Sequence, residues 1–118
     1  MSGFTIVAPD DMETAGNWLL VRRALGLQAF GINMVDIAPG EQIPEHDETG
    51  RDQEEVFLAL AGDATIVIDG EEHDLPAGCF ARLDPHLTRT VVNKGDDTLR
   101  LLIVSAPRGS GYEAMGWA

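Results

Sequence analysis

From Glu55 onward the chain is a series of short runs, "EVFLALAG", "ATIVIDG", "EEHDLPAG", "FARLDP", "TRTVVNKGDD" and "TLRLLIVSA", most of them closed by a glycine, proline or aspartate cluster. Runs of about four to eight residues with such punctuation are strand-sized and too short for most helices. The regular spacing predicts antiparallel strands folded into a sandwich or barrel. In "GDATIVIDGEEHDL" the Asp69-Gly70 pair supplies the positive φ angles of a tight hairpin turn, and "NKGDD" predicts another turn. Upstream, "DMETAG" has room for one helical turn, but no apolar stripe of 3.6-residue period extends further. "FTIVA" and "NWLLVRRALG" read as strands. "LQAFGINMVDI" reads as a longer one in which Phe30, Ile32 and Met34 alternate with small or polar residues.

The 118 residues, 44% of them hydrophobic, suffice for one core, so a single domain is expected. Twenty acidic against eight basic residues give a net charge of -12, which repels nucleic-acid backbones and anionic lipid. Neither nucleic acid nor a membrane is an expected partner. The lone Cys79 forms no intrachain disulfide, and no basic-then-apolar leader or long apolar segment is visible, so the expected location is the cytoplasm.

One spacing carries more information. In "GEQIPEHDETGRDQEEVFLALAG", Gly40, His46, Glu55 and Gly62 fall at the fixed positions of G-x(5)-H-x-H-x(3,4)-E-x(6)-G, with Glu48 at the second histidine and a longer gap before Glu55. In "GCFARLDPHLTRTVVN", Gly78 and Asn93 match the ends of G-x(5)-P-x-G-x(2)-H-x(3)-N, while Asp84, His86 and Arg89 replace its proline, second glycine and histidine. These two segments resemble the paired motifs of the cupin superfamily. The resemblance covers residues 28–106 and implies an all-β, single-domain, double-stranded β-helix, that is, a jelly-roll barrel. Residues 1–27 and the tail 107–118 are then expected to pack on the barrel or on a dimer mate. Small cupins commonly form dimers, so a homodimer is also expected, with the edges of "FTIVA" and "WLLVRR" as natural contacts.

Strand alternation puts Glu55, Phe57 and Ala59 on one face, and Arg89, Val91 and Asn93 on another; His46 and Glu48 share a face if their segment is extended. In a small barrel these faces point inward. The family's three-histidine, one-glutamate metal site corresponds here to His46, Glu48, Glu55 and Arg89. Arginine has no lone pair to give and keeps its charge, so the four-ligand set is broken. His46, Glu48 and Glu55 remain as a set able to hold manganese, iron, nickel or zinc. The simpler arrangement is an internal ion pair between Arg89 and Glu55 or Glu48, with no cofactor.

Two functional classes follow. One is a metal-free barrel that binds a small organic ligand through His46, Glu48, Glu55, Phe57 and Arg89, with Phe30 also lining the pocket; the guanidinium suits an anionic ligand. The other is a metal-dependent enzyme of the isomerase or dioxygenase kind found among cupins, with His46, Glu48 and Glu55 as ligands. A filled lumen would instead point to a structural piece, and no catalytic residue is assigned. Asp47, Asp52 and Glu54 read as a solvated loop, and His73 and His86 as residues outside the lumen. Cys79 reads as a small buried side chain, Asn93 as a turn stabiliser, and Tyr112, Met115 and Trp117 as tail residues packing outside the barrel.

Overall fold

The computed structural model describes residues 3–118. Its elements are β1 (Thr14–Ala15), β2 (Trp18–Leu19), α1 (Val21–Leu25), β3 (Gly31–Ile37), β4 (Gln53–Ala61), β5 (Ala64–Ile68), β6 (Glu71–Leu75), β7 (Phe80–Leu83), β8 (Arg89–Val92) and β9 (Leu99–Pro107). They form a six-stranded sheet in the order β1-β2-β3-β9-β4-β7 and a three-stranded sheet in the order β6-β5-β8. Every pairing is antiparallel. The result is the all-β jelly roll that the family resemblance implies, built from the short antiparallel strands that the turn spacing predicts.

The hairpin between β5 and β6 turns at Asp69 and Gly70, with φ of 49° and 83°, as the "DG" pair requires. Gly62, just past β4, serves a different purpose. Its φ is +82°, and a Cβ there would lie 3.1 Å from both Leu99 Cα and Thr98 O, so only glycine lets the two segments meet.

Register orders the interior into rows. Gly31 pairs with Ser105 and Ser105 with Glu55; the next inward row is Asn33, Ile103 and Phe57, and the one after it Val35, Leu101 and Ala59. The rows change from polar at one end to apolar at the other. Phe57, Ala59, Val35, Leu101 and Leu99 are fully buried and belong to the main apolar cluster, which Ile66, Leu83 and Val91 complete from the other strands. Each large side chain in it contributes roughly 1.5–3 kcal/mol of transfer free energy.

The N-terminal quarter departs from expectation. "FTIVA" forms no strand, and the turn expected at "DMETAG" is a short 3-10 segment just upstream, Pro9–Asp11. "NWLLVRRALG" is a two-residue strand followed by α1, because Gly26 adopts a left-handed conformation in which Gly26 and Leu27 N–H donate to the Arg23 and Arg22 carbonyls (3.1 and 3.0 Å). α1 has an exposed Arg22-Arg23 pair and one buried side chain, Val21, so no stripe was available to reveal it. The face of β3, open from the alternation alone, is set by packing: Asn33, Val35 and Ile37 point inward. Met34, with Ile32 beside it, packs outward against Leu19 and Val21 in a second apolar cluster. With both faces covered, alternation alone could not say which was inner.

Candidate functional site

The site forms where residues 40–48 pair with β8 and its flanks. N–H groups of Gly40, Ile43 and His46 donate to the carbonyls of Asn93, Val91 and Arg89. The bridges Gln42 to Val92 and His46 to Arg89 leave one extra residue on the first segment, a β-bulge around Pro44. Pro44 has no N–H to pair, and the Ile43 carbonyl in the bulge accepts a hydrogen bond from the buried Thr90 hydroxyl at 2.6 Å. The bulge therefore turns both Ile43 and His46 inward, three residues apart. His46 and Arg89 exchange both backbone hydrogen bonds (3.0 and 2.8 Å), so their side chains stand side by side.

Glu55 reaches the same point from β4. His46 Nε2 lies 3.3 Å from Glu48 Oε1 and 3.4 Å from Glu55 Oε1, and Arg89 Nη1 lies 3.5 Å from Glu55 Oε1. The Arg89 side chain is fully buried and Glu55 nearly so, whereas 35% of the His46 side chain and 18% of Glu48 face solvent. The cluster thus runs from the barrel mouth inward. The expected contact between Arg89 and Glu55 is present. A second anchor, Arg89 Nη2 donating to the Asp84 carbonyl at 2.7 Å, fixes the guanidinium from the other side.

Burial pushes the Glu55 carboxyl above its ordinary range, and the Glu48 carboxylate beside it pushes the same way; His46 and Arg89 oppose both. His46 Nδ1 lies 3.1 Å from the Pro44 carbonyl, which holds the ring with Nε2 facing the two carboxylates. Among the described residues, three buried atoms in the cluster have no hydrogen-bond partner: Glu55 Oε1, Arg89 Nε and Arg89 Nη1.

The donor set answers in two parts whether the site fits a metal ion. His46, Glu48 and Glu55 each offer an atom within 4.8 Å of the others, and a backbone carbonyl orients the histidine, as at many metal centres. A three-ligand site fits. A four-ligand site does not, because Arg89, at the position of the fourth, can only donate.

Phe57 lies one inward position deeper than Glu55, with no exposure, as part of the apolar core. Phe30, expected to line the pocket, is 40% exposed; it borders an outer cavity with Val104, Ala106 and Tyr112 and also the cavity lined by Asn33, Gln53 and Ser105. Cys79 is exposed rather than buried. His86 and His73 are exposed, the exposed Asp47 accepts from Thr49, and Asp52 pairs with Arg108 at 2.7 Å. Asn93 is a turn stabiliser: Nδ2 donates to the Ile37 and Asp97 carbonyls (both 2.8 Å) and Oδ1 accepts from Gly95 N–H (2.9 Å). Met115 and Trp117 are exposed, and Tyr112 borders the outer cavity beside Phe30. Ser105, Asn33 and Gln53, which share the inward face near Glu55, escaped the sequence reading; the strand parity of Glu55 would have found Gln53.

Residues 33–105 match the cupin domain family. A comparison with curated proteins finds no match. Among solved structures, the chain is similar to a cupin protein from Bacteroides fragilis, with a TM-score of 0.81 at 21% identity over 99% of this chain and 94% of that one. It is similar to a sugar phosphate isomerase from Silicibacter pomeroyi, with a TM-score of 0.68 at 26% identity over 77% of this chain and 60% of the other. A Cupin 2 conserved barrel domain protein from Salinispora arenicola matches with a TM-score of 0.61 at 28% identity, over 70% of this chain and 67% of that one.

Proposed function

The chain belongs to the cupin domain family, and from that premise we propose that it binds a small organic ligand at the polar end of its barrel, without requiring a metal. One observation carries this reading: Glu55 Oε1, Arg89 Nε and Arg89 Nη1 are buried with no hydrogen-bond partner among the described residues. Buried polar groups are almost always hydrogen-bonded, so donors and an acceptor held only by ion-pair contacts of 3.4–3.5 Å support a polar molecule being received there. Arg89 donates to it, Glu55 and Glu48 accept its hydroxyl protons, and His46 closes the mouth. The similarity to the sugar phosphate isomerase agrees with a hydroxylated ligand. Phe57 acts beneath the cluster as a rigid floor.

The test is a thermal-shift screen of small hydroxy acids, polyols and sugar derivatives on chelator-treated protein, repeated on Arg89→Met. A folded apo protein that gains stability with one ligand class, and loses that gain in Arg89→Met, is the expected result. Unfolding in chelator would refute the reading.

A second reading rests on the orientation of His46 Nε2 toward both carboxylates. In it His46, Glu48 and Glu55 hold a divalent manganese, iron, nickel or zinc ion, which supplies Lewis-acid chemistry for an isomerase or dioxygenase, and Arg89 stabilises negative charge on the substrate. Metal content per chain on protein purified without chelator separates the two.

Among the described residues no helix is long and apolar enough to cross a membrane. We place the protein in the cytoplasm, not bound to nucleic acid, as a homodimer. The exposed Phe80, Phe30 and Tyr112 support that association.

A further inference from the structure

Six of the eight lysines and arginines sit in ion pairs with carboxylates: Arg23, Arg82, Arg89, Lys94, Arg100 and Arg108. The other two are Arg22 and Arg51, and both line the same open cavity of about 480 Å³. In a chain with twenty acidic residues, unpaired arginines are the exception, and these two converge on one place. Arg22 donates through Nη1 to the Leu27 carbonyl at 3.1 Å, and among the described residues Arg51 makes no side-chain hydrogen bond or ion pair. Both guanidinium groups are available to an anion.

The cavity borders the site already described. Ser105, in its wall, pairs directly with Glu55 across β9 and β4. Gln53, also in its wall, precedes Glu55 by two residues on the same face of β4, about 7 Å along the strand. Asn33 adds a third neutral hydrogen-bonding group. Gly31 keeps the floor open, since a Cβ there would stand 2.6 Å from Ser105 Oγ. The cavity thus sets two arginines that have no carboxylate partner among the described residues beside Gln53, Ser105 and Asn33, with Ser105 level with Glu55 and Asn33 one row deeper.

We propose that Arg22 and Arg51 bind the oxyanion end, phosphate or carboxylate, of a small hydroxylated ligand whose other end reaches Glu55 and Arg89. This rests on the reading of the barrel end as a ligand site. Guanidinium forks suit planar carboxylates and phosphates, and Gln53, Asn33 and Ser105 suit the hydroxyls between. The global negative charge does not oppose this at close range, because salt screens it beyond about 8–10 Å.

The test follows the Nε–H resonances of Arg22 and Arg51, assigned with Arg22→Gln and Arg51→Gln, during titration with inorganic phosphate, ribose, ribose 5-phosphate and ribonate, with affinities from calorimetry. Both resonances shift saturably with phosphate, and ribose 5-phosphate or ribonate binds at least tenfold more tightly than inorganic phosphate. Which of the two binds more tightly distinguishes phosphate from carboxylate. Arg51→Gln, a change at an exposed side chain with no partner among the described residues, weakens the better probe about tenfold while ribose is unaffected. Unshifted resonances, or affinities that neither substitution changes, overturn the proposal. If ribose binds and Glu55→Gln abolishes that binding while the anionic group adds nothing, the rim assignment falls and the ligand site at Glu55 stands. If phosphate shifts both arginines but the sugar anions bind no more tightly, the single ligand spanning both ends is refuted.

Discussion

Replacing Arg89 by methionine tests whether the buried cluster is held by charge or by packing. The side chain is fully buried, and its partner Glu55 is 7% exposed at 3.5 Å. Removing one member of such a pair costs about 3–5 kcal/mol when the other stays charged. About 1 kcal/mol of this belongs to the lost hydrogen bond to the Asp84 carbonyl and does not depend on pH. The remainder does, because burial and Glu48 already push the Glu55 carboxyl up and Arg89 is one of the groups opposing them. In the variant Glu55 binds a proton in the folded state that the unfolded chain releases, so stability relative to wild type falls as pH rises through that window. The limit is about 1.4 kcal/mol per pH unit. At pH 7 the expected loss is about 3 kcal/mol. Unfolding entropy of about 2.1 cal/mol/K per residue makes this about 12 °C in Tm for a chain of this length. At pH 5 the loss shrinks to about 1 kcal/mol, and Arg89→Met with Glu55→Gln recovers most of the deficit at pH 7. The assay is urea unfolding of the three proteins at both pH values. An equal loss at pH 5 and pH 7, with no recovery in the double variant, would refute the electrostatic account.

Other expectations are simpler. Wild-type stability declines as pH rises above the ordinary carboxyl range through the raised Glu55 value, and Glu55→Gln removes that segment of the melting profile. Asn93→Ala loses three hydrogen bonds in a buried turn and costs about 3 kcal/mol by denaturant unfolding. Asp36, held below the usual carboxylate range by its two-pronged bond to Arg100 (2.8 and 3.0 Å), stabilises above its unfolded value and loses that contribution as pH falls. Asp36→Asn costs about 1 kcal/mol at pH 7 and little at pH 2, in thermal unfolding with both groups about one-third exposed. Arg89→His supplies the fourth lone pair beside His46, Glu48 and Glu55, so nickel or zinc raises the Tm of this variant more than that of wild type, read by thermal shift.

The inner strands were legible because glycine and aspartate punctuation sets their ends, and because Glu55, Phe57, Ala59 and Arg89, Val91, Asn93 alternate against a one-sided core. β3 was legible as a strand but not as to its face, since Leu19 and Val21 cover what would otherwise be its solvent side. α1 was invisible at five residues. The proximity of His46 to Arg89 depends on the extra residue at the Pro44 bulge, a tertiary feature with no period of its own. Arg22 and Arg51 lie far apart in sequence, and only the fold brings them to one cavity.

The succession of inward rows along the barrel has a consequence for how such a protein can change. Val35, Leu101, Ala59, Ile37 and Leu99 carry the burial and make no contact with the mouth, whereas Gln53, Asn33 and Ser105 carry little of it. Positions that differ so in what they contribute can vary independently, because substitutions that share no partners add with little coupling. Randomising the three polar wall positions with the apolar rows held constant would keep the melting temperature within a few degrees while altering what the mouth accepts. Single substitutions at those wall positions can therefore change the chemistry of the mouth while the apolar rows keep the fold.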